Sequence, residues 1–154
     1  MISISFKPLK LLTVLSLSGH LLLISCSQDP KPVHIHEDEG EYCRMRISDL
    51  RFDAQIVNTK GKAYKFDAIE CAANYWVENR EDLKGAKIWV SDFNEPKEFL
   101  SHEEAVFIKS KEIQSPMGES LLALSSPEET EEHLSEYDGK KITWETILKN
   151  ARND

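Results

Sequence analysis

The sequence predicts an α+β fold, and three observations point to it. A hairpin signal spans residues 52–66. An amphipathic helical stripe follows at once. Strand-like alternation then returns and ends in one more capped helix.

The elements follow in order. Arg44–Ile47 is a short strand candidate. In Phe52–Thr59, Phe52, Ala54 and Ile56 share one parity, as a half-buried strand requires. Lys60-Gly61 reads as a hairpin turn, and Ala63–Phe66 returns as its partner strand. Asp67 opens a helix as its cap, with Glu70 three residues on completing the box. Ile69, Ala72, Ala73, Trp76 and Val77 lie on one helical face, which predicts core. Gly85 separates a second block. There Lys87–Val90, Glu104–Lys109 and Ser120–Ser125 read as strands. Ser126 caps a helix that starts at Pro127 and has Glu129 at its third position. Ile142–Trp144 is a last strand candidate, with a terminal helix or tail from Glu145 to Asp154.

The first 25 residues are a leader rather than part of the fold. Lys7 and Lys10 precede an apolar run, Leu11 to Ile24, that holds no acid and is too interrupted to span a membrane stably. Leu23-Ile24-Ser25-Cys26 resembles a lipobox, the bacterial lipoprotein signal. That resemblance implies lipidation of Cys26 by acyl chains such as palmitate. Each buried methylene adds about 0.8 kcal/mol, so the protein is expected outside the cytoplasm, in the cell envelope, anchored to a membrane by lipid.

Residues 26–154 remain, 129 in all, enough for one compact domain. Two of the 19 basic residues lie in the leader, so 17 face 27 acidic ones and the mature net charge is −10. Such a surface excludes a nucleic-acid partner, whose phosphates demand Lys and Arg. Residues 26–41 read as a flexible linker between the lipid and a domain over 42–144. Within the linker His34 and His36 form H-x-H beside Glu37, Asp38 and Glu39, a set able to hold a divalent metal weakly. A solvated polar linker is the simpler reading and is preferred. The chain has no Gly-rich phosphate loop, no G-x-S-x-G elbow and no H-E-x-x-H helix.

Sulfur is what remains distinctive. Beyond Met1 and Cys26 the chain carries four sulfur atoms, in Cys43, Met45, Cys71 and Met117. Cys43 and Met45 share strand parity, so their side chains are expected on one side. Met117 lies between Pro116 and Gly118, in a turn rather than a packed element. Core methionine usually fills gaps between helices, and neither position fits that use. Thiolate and thioether ligands select copper(I) over zinc, calcium or magnesium. Structural zinc prefers four Cys or His ligands, which the domain lacks nearby. Two or three sulfur ligands suit a carrier that must pass its ion on. The rival use of Cys43 and Cys71 is a disulfide. Closing their 28-residue separation would stabilise the fold by roughly 3–4 kcal/mol. Cys71 lies off the Ile69/Trp76 stripe, so it can face Cys43, a metal or a second packing surface.

The motifs together resemble the NosL family of nitrous-oxide reductase accessory lipoproteins. They are Cys26, Cys43-Arg44-Met45, Phe66 to Cys71 (FDAIEC), Trp89-Val90-Ser91-Asp92, Ala105-Val106-Phe107-Ile108 and Ser115-Pro116-Met117-Gly118. The resemblance covers about Tyr42 to Tyr137. It implies two small ββα-type units packed together. It also implies a copper(I) chaperone whose ligands map to Cys43 and Met117, with Met45 a ligand or near neighbour. The implied partner is nitrous-oxide reductase or its assembly machinery, in denitrification. Two departures stand out. Many members have C-x-x-C-x-M, where this chain has Gly40. Many have methionine after the second cysteine, where this chain has Ala72. Cys71, His34 and His36 are therefore the weaker, substitute ligand candidates. Two rival functions stay open from sequence: a disulfide-stapled interaction lipoprotein without metal, and a thiol-dependent enzyme of organomercurial-lyase-like fold using Asp67 or Asp92. The absence of C-x-x-C weighs against the enzyme.

Overall fold

A computed structural model describes residues 27–151. The leader and Cys26 lie outside the described residues. The order is β1 (Ala54–Val57), β2 (Ala63–Phe66), α1 (Ile69–Glu78), β3 (Lys87–Ser91), β4 (Phe99–Ser101), β5 (Val106–Lys109), β6 (Leu121–Leu124), α2 (Pro127–Glu136), β7 (Lys140–Ile142) and α3 (Trp144–Asn150). The class is α+β, as the sequence predicts, with two separate antiparallel sheets.

The first sheet runs β2-β1-β3-β4. Its hairpin turns at Lys60-Gly61, where Gly61 adopts φ +79° and Asn58 Oδ1 accepts from the Lys60 and Lys62 amides. Ile56 lies opposite Tyr64 on one side and Ile88 on the other. Ala54 and Ile56 face the main core with Ile69, Ala72 and Ala73 of α1, so the helical stripe packs where its period placed it.

The opposite face of β1 shows why the 27–33 segment is not a free tether. Gln55 is fully buried, and its amide group pairs with the Lys31 backbone, N to Oε1 at 2.8 Å and Nε2 to O at 2.7 Å. Gln28 Nε2 donates to the carbonyls of Val57 and Gly85, and Trp89 Nε1 donates to the Gln28 carbonyl. Buried polar groups need partners, and a backbone strap supplies them here without any apolar signal in its own sequence.

The second sheet runs β6-β5-β7 and is covered on both faces. Phe107, Leu121 and Ala123 join the main core beneath α1 and α3. Ile108, Leu122 and Leu124 alternate to a second cluster with Phe52, Phe93 and Leu134 of α2. The capped helix is as predicted: Ser126 Oγ accepts from the Glu129 amide at 3.2 Å, with Pro127 in the first turn.

Several predicted elements differ. Asp67 does not cap α1; the cap position is Ala68, and Asp67 instead accepts from the Ser48 amide at 2.7 Å. Arg44–Ile47 is not a strand, because only Arg46 pairs, with Glu39. The edge strand β4 carries no alternation that sequence could show. The last strand ends at Ile142, and Thr143 caps α3 through the Thr146 amide. Ile147 of α3 is buried in the main core, so the terminal helix is an integral packing element.

Candidate metal centre

The C-x-M residues lie in a tight turn, not on a pleat. Gly40 N donates to Met45 O at 2.8 Å, and Arg44 N to Gly40 O at 3.0 Å. Arg44 takes a left-handed φ of +58°. A left-handed residue breaks the two-residue alternation, so Cys43 and Met45 do not share a side as parity predicts. Cys43 packs against the main core, whereas Met45 is 46% exposed. Gly40 abuts the thiol: a Cβ there would sit 3.1 Å from Cys43 Sγ.

Cys71 is the third residue of α1 and is 2% exposed. It lies off the Ile69/Trp76 stripe yet is buried, because α1 is covered twice. One side packs on the first sheet and another on β6 and α3. Cys43 and Cys71 are unbonded neighbours in this structure, close enough for their side chains to hydrogen-bond. Burial pushes the Cys71 thiol far above its ordinary value, and the neighbouring Cys43 pushes it further. Cys43 and Cys71 therefore form one thiol pair, joined across the turn and the helix.

Met117 reaches the same place from the second unit. Its loop turns at Gly118 (φ +86°), with Gly118 N donating to Ser115 O. Met117, 39% exposed, lines a cavity of about 210 Å³ together with Cys71, Glu70, Tyr42 and Lys109. Tyr42 OH donates to Glu78 Oε1 at 3.1 Å, which holds the ring at this wall. The lining also includes Ile147 of α3. Cys71 thus shares the cavity with Met117 and neighbours Cys43, which does not itself line that cavity.

The other candidates are elsewhere. Met45 does not line the cavity. His34 is engaged by Asp38, Nδ1 to Oδ2 at 3.5 Å, and its backbone amide donates to the same carboxylate. The His36 carbonyl accepts from Arg46, and neither imidazole lines the cavity. Among the described residues no group of three His, Cys, Asp or Glu side chains is set to hold a metal. The donors this region offers are two thiols and a thioether, which is soft-ligand chemistry.

Of the two candidates Met45 and Cys71, Cys71 lines the cavity with Met117, whereas Met45 is exposed in the turn. Sequence reasoning read Glu70 only as a capping partner. The signal for Cys71 was its position off the main stripe of a helix that a second unit had to cover.

The model of the NosL family matches residues 32–151, nearly the whole described domain. The chain belongs to the NosL family. The fold agrees with the crystal structure of the copper chaperone NosL from Shewanella denitrificans, with a TM-score of 0.66 at 16% identity, covering 77% of this chain and 95% of that one. No curated protein sequence matches. Gly40 lies directly against Cys43 Sγ, so a side chain at 40 would meet that thiol.

Proposed function

We propose that this NosL protein is a copper(I) carrier whose ion is held by Cys43, Cys71 and Met117. The observation that carries the reading is that Cys71, neighbour of the Cys43 thiol, shares one small cavity with the Met117 thioether from a distant loop. Two thiolates and a thioether match copper(I) in softness, and three ligands leave room for a receiving partner's ligand. Met45, exposed and close to Cys43 in sequence, is placed to meet the ion during transfer rather than to hold it. The solved Shewanella denitrificans structure is of a copper chaperone, which supports the same cargo.

The carrier is not an enzyme in this reading. Its client is nitrous-oxide reductase or the machinery that assembles its copper centres, and lipid on Cys26 anchors it to a membrane outside the cytoplasm. Copper(I) titration against a chromophoric competitor, under reducing conditions, tests the site. Cys43→Ser, Cys71→Ser and Met117→Leu should each weaken binding by about tenfold or more, at about 1.4 kcal/mol per decade. Unchanged affinity in both cysteine variants would refute the reading. Acylation is tested by mass spectrometry of the membrane-extracted protein, where Cys26→Ser should abolish the lipid.

A further inference from the structure

The carboxylate of Glu70 sits between the two halves of the candidate site. It follows Ile69 at the start of α1 and directly precedes Cys71. One oxygen, Oε1, accepts twice from the Met117 loop: from Ser115 Oγ at 3.2 Å and from the Glu119 amide at 3.2 Å. Ser115 Oγ in turn accepts from the Ser120 amide at 2.9 Å, which closes the loop upon itself. Glu119 is tied to Lys109, the last residue of β5. Residues 115–120 therefore hang from α1 by a single carboxylate oxygen.

The other oxygen is equally telling. Glu70 is only 9% exposed, it lines the cavity beside Cys71, and its Oε2 is buried without a partner. Burial of a carboxylate with one oxygen unsatisfied is unfavourable, so a residue kept in this state serves the site rather than stability. A loop that carries a ligand on a Pro-Met-Gly turn has conformational freedom to lose. Fixing it in advance lowers the entropy cost of closing round an ion.

We propose that Glu70 is the positioning residue of the copper site, clamping the Ser115–Glu119 loop to α1 so that the Met117 thioether faces Cys71. The proposal rests on the copper reading above and adds to it the residue that builds the site without touching the ion. Loss of the clamp leaves all three sulfur ligands present but lets Met117 drift.

A double-mutant cycle on the full-length protein in detergent tests this. Copper(I) is titrated against a chromophoric competitor for the wild type, Glu70→Ala, Met117→Leu and the double variant. Glu70→Ala and Met117→Leu should each weaken binding about tenfold, and the double variant should be no weaker than Met117→Leu alone, since coupled residues are non-additive. Glu70→Gln, whose amide oxygen still accepts from Ser115 and Glu119, should recover most of the affinity. In the copper-free protein, the NMR methyl signal of Met117 should shift and narrow in Glu70→Ala while that of Met45 stays in place. Additive losses, a Glu70→Gln as weak as Glu70→Ala, or an unmoved Met117 signal overturns the clamp while leaving the copper site standing. An unaffected Met117→Leu overturns the ligand assignment and the clamp with it. Should Glu70→Ala fail to fold, Ser115→Ala takes its place in the cycle under the same criteria.

Discussion

Asp53 offers the most direct check on the buried polar chemistry beneath the first sheet. It lies just before β1, is 1% exposed, and has no well-formed hydrogen bond to either carboxylate oxygen, the adjacent Ser91 side chain offsetting its burial only in part. Burial, with the nearby Asp67 charge adding, pushes its pKa up to about 7. The folded state then holds a proton that the unfolded chain releases near pH 3.9. Stability from this group is present below about pH 4, falls by about 1.4 kcal/mol per pH unit, and is lost once pH passes about 7. The interval is about three units, so the full effect is about 4 kcal/mol at most. Asp53→Asn mimics the protonated form and removes the dependence. Its amide can donate to Ser91 Oγ, which is buried beside it. The assay is guanidinium chloride unfolding followed by the fluorescence of the three tryptophans, at pH 4 and pH 8. Asp53→Asn should be more stable than the wild type by about 2–4 kcal/mol at pH 8 and nearly equal at pH 4. Equal stability at pH 8, or the same slope in both proteins, would refute the argument that this carboxylate is held neutral by burial.

Three further outcomes follow from the geometry. Gln55→Leu removes both hydrogen bonds to Lys31, so amide exchange around residues 27–33 should speed by at least about tenfold while exchange in α2 stays unchanged. Ser126→Ala deletes the cap of α2 and should lower unfolding free energy by about 1 kcal/mol in the same denaturant assay, leaving copper(I) affinity as it was. Met45→Leu should leave equilibrium copper(I) affinity within about threefold of wild type, because Met45 is turned outward while Cys43 packs inward, but should slow transfer to a competing chelator; an affinity loss matching that of Met117→Leu would restore Met45 to the ligand set.

Much of the fold was legible because its cues are local. The Lys60-Gly61 turn, the Ile69/Ala72/Ala73 stripe and the Ser126-Pro127 cap each depend on residues within a few positions of one another, where period and backbone preference act directly. The misread pieces share the opposite property. Asp67 was a good cap by spacing, but Ser48, far away in sequence, competes for its carboxylate. Gln28 and Lys31 looked like tether, yet Gln55 and Trp89 bind them from strands that come much later. Cys43 and Met45 were assigned one side by parity, which holds only for a pleated backbone, and the positive φ of Arg44 breaks it.

The same division runs through the site. Sequence alone determined which chemistry was available: four sulfur atoms beyond Met1 and Cys26, no zinc set, an acidic surface, and motifs that resemble NosL. Ligand chemistry belongs to side chains and can be counted before anything folds. Only the tertiary structure decided which sulfur atoms meet, since that depends on α1 being covered by both sheets' units at once. That double packing buries Cys71 beside Cys43, carries Met117 to the same cavity, and hands the 115–120 loop to Glu70.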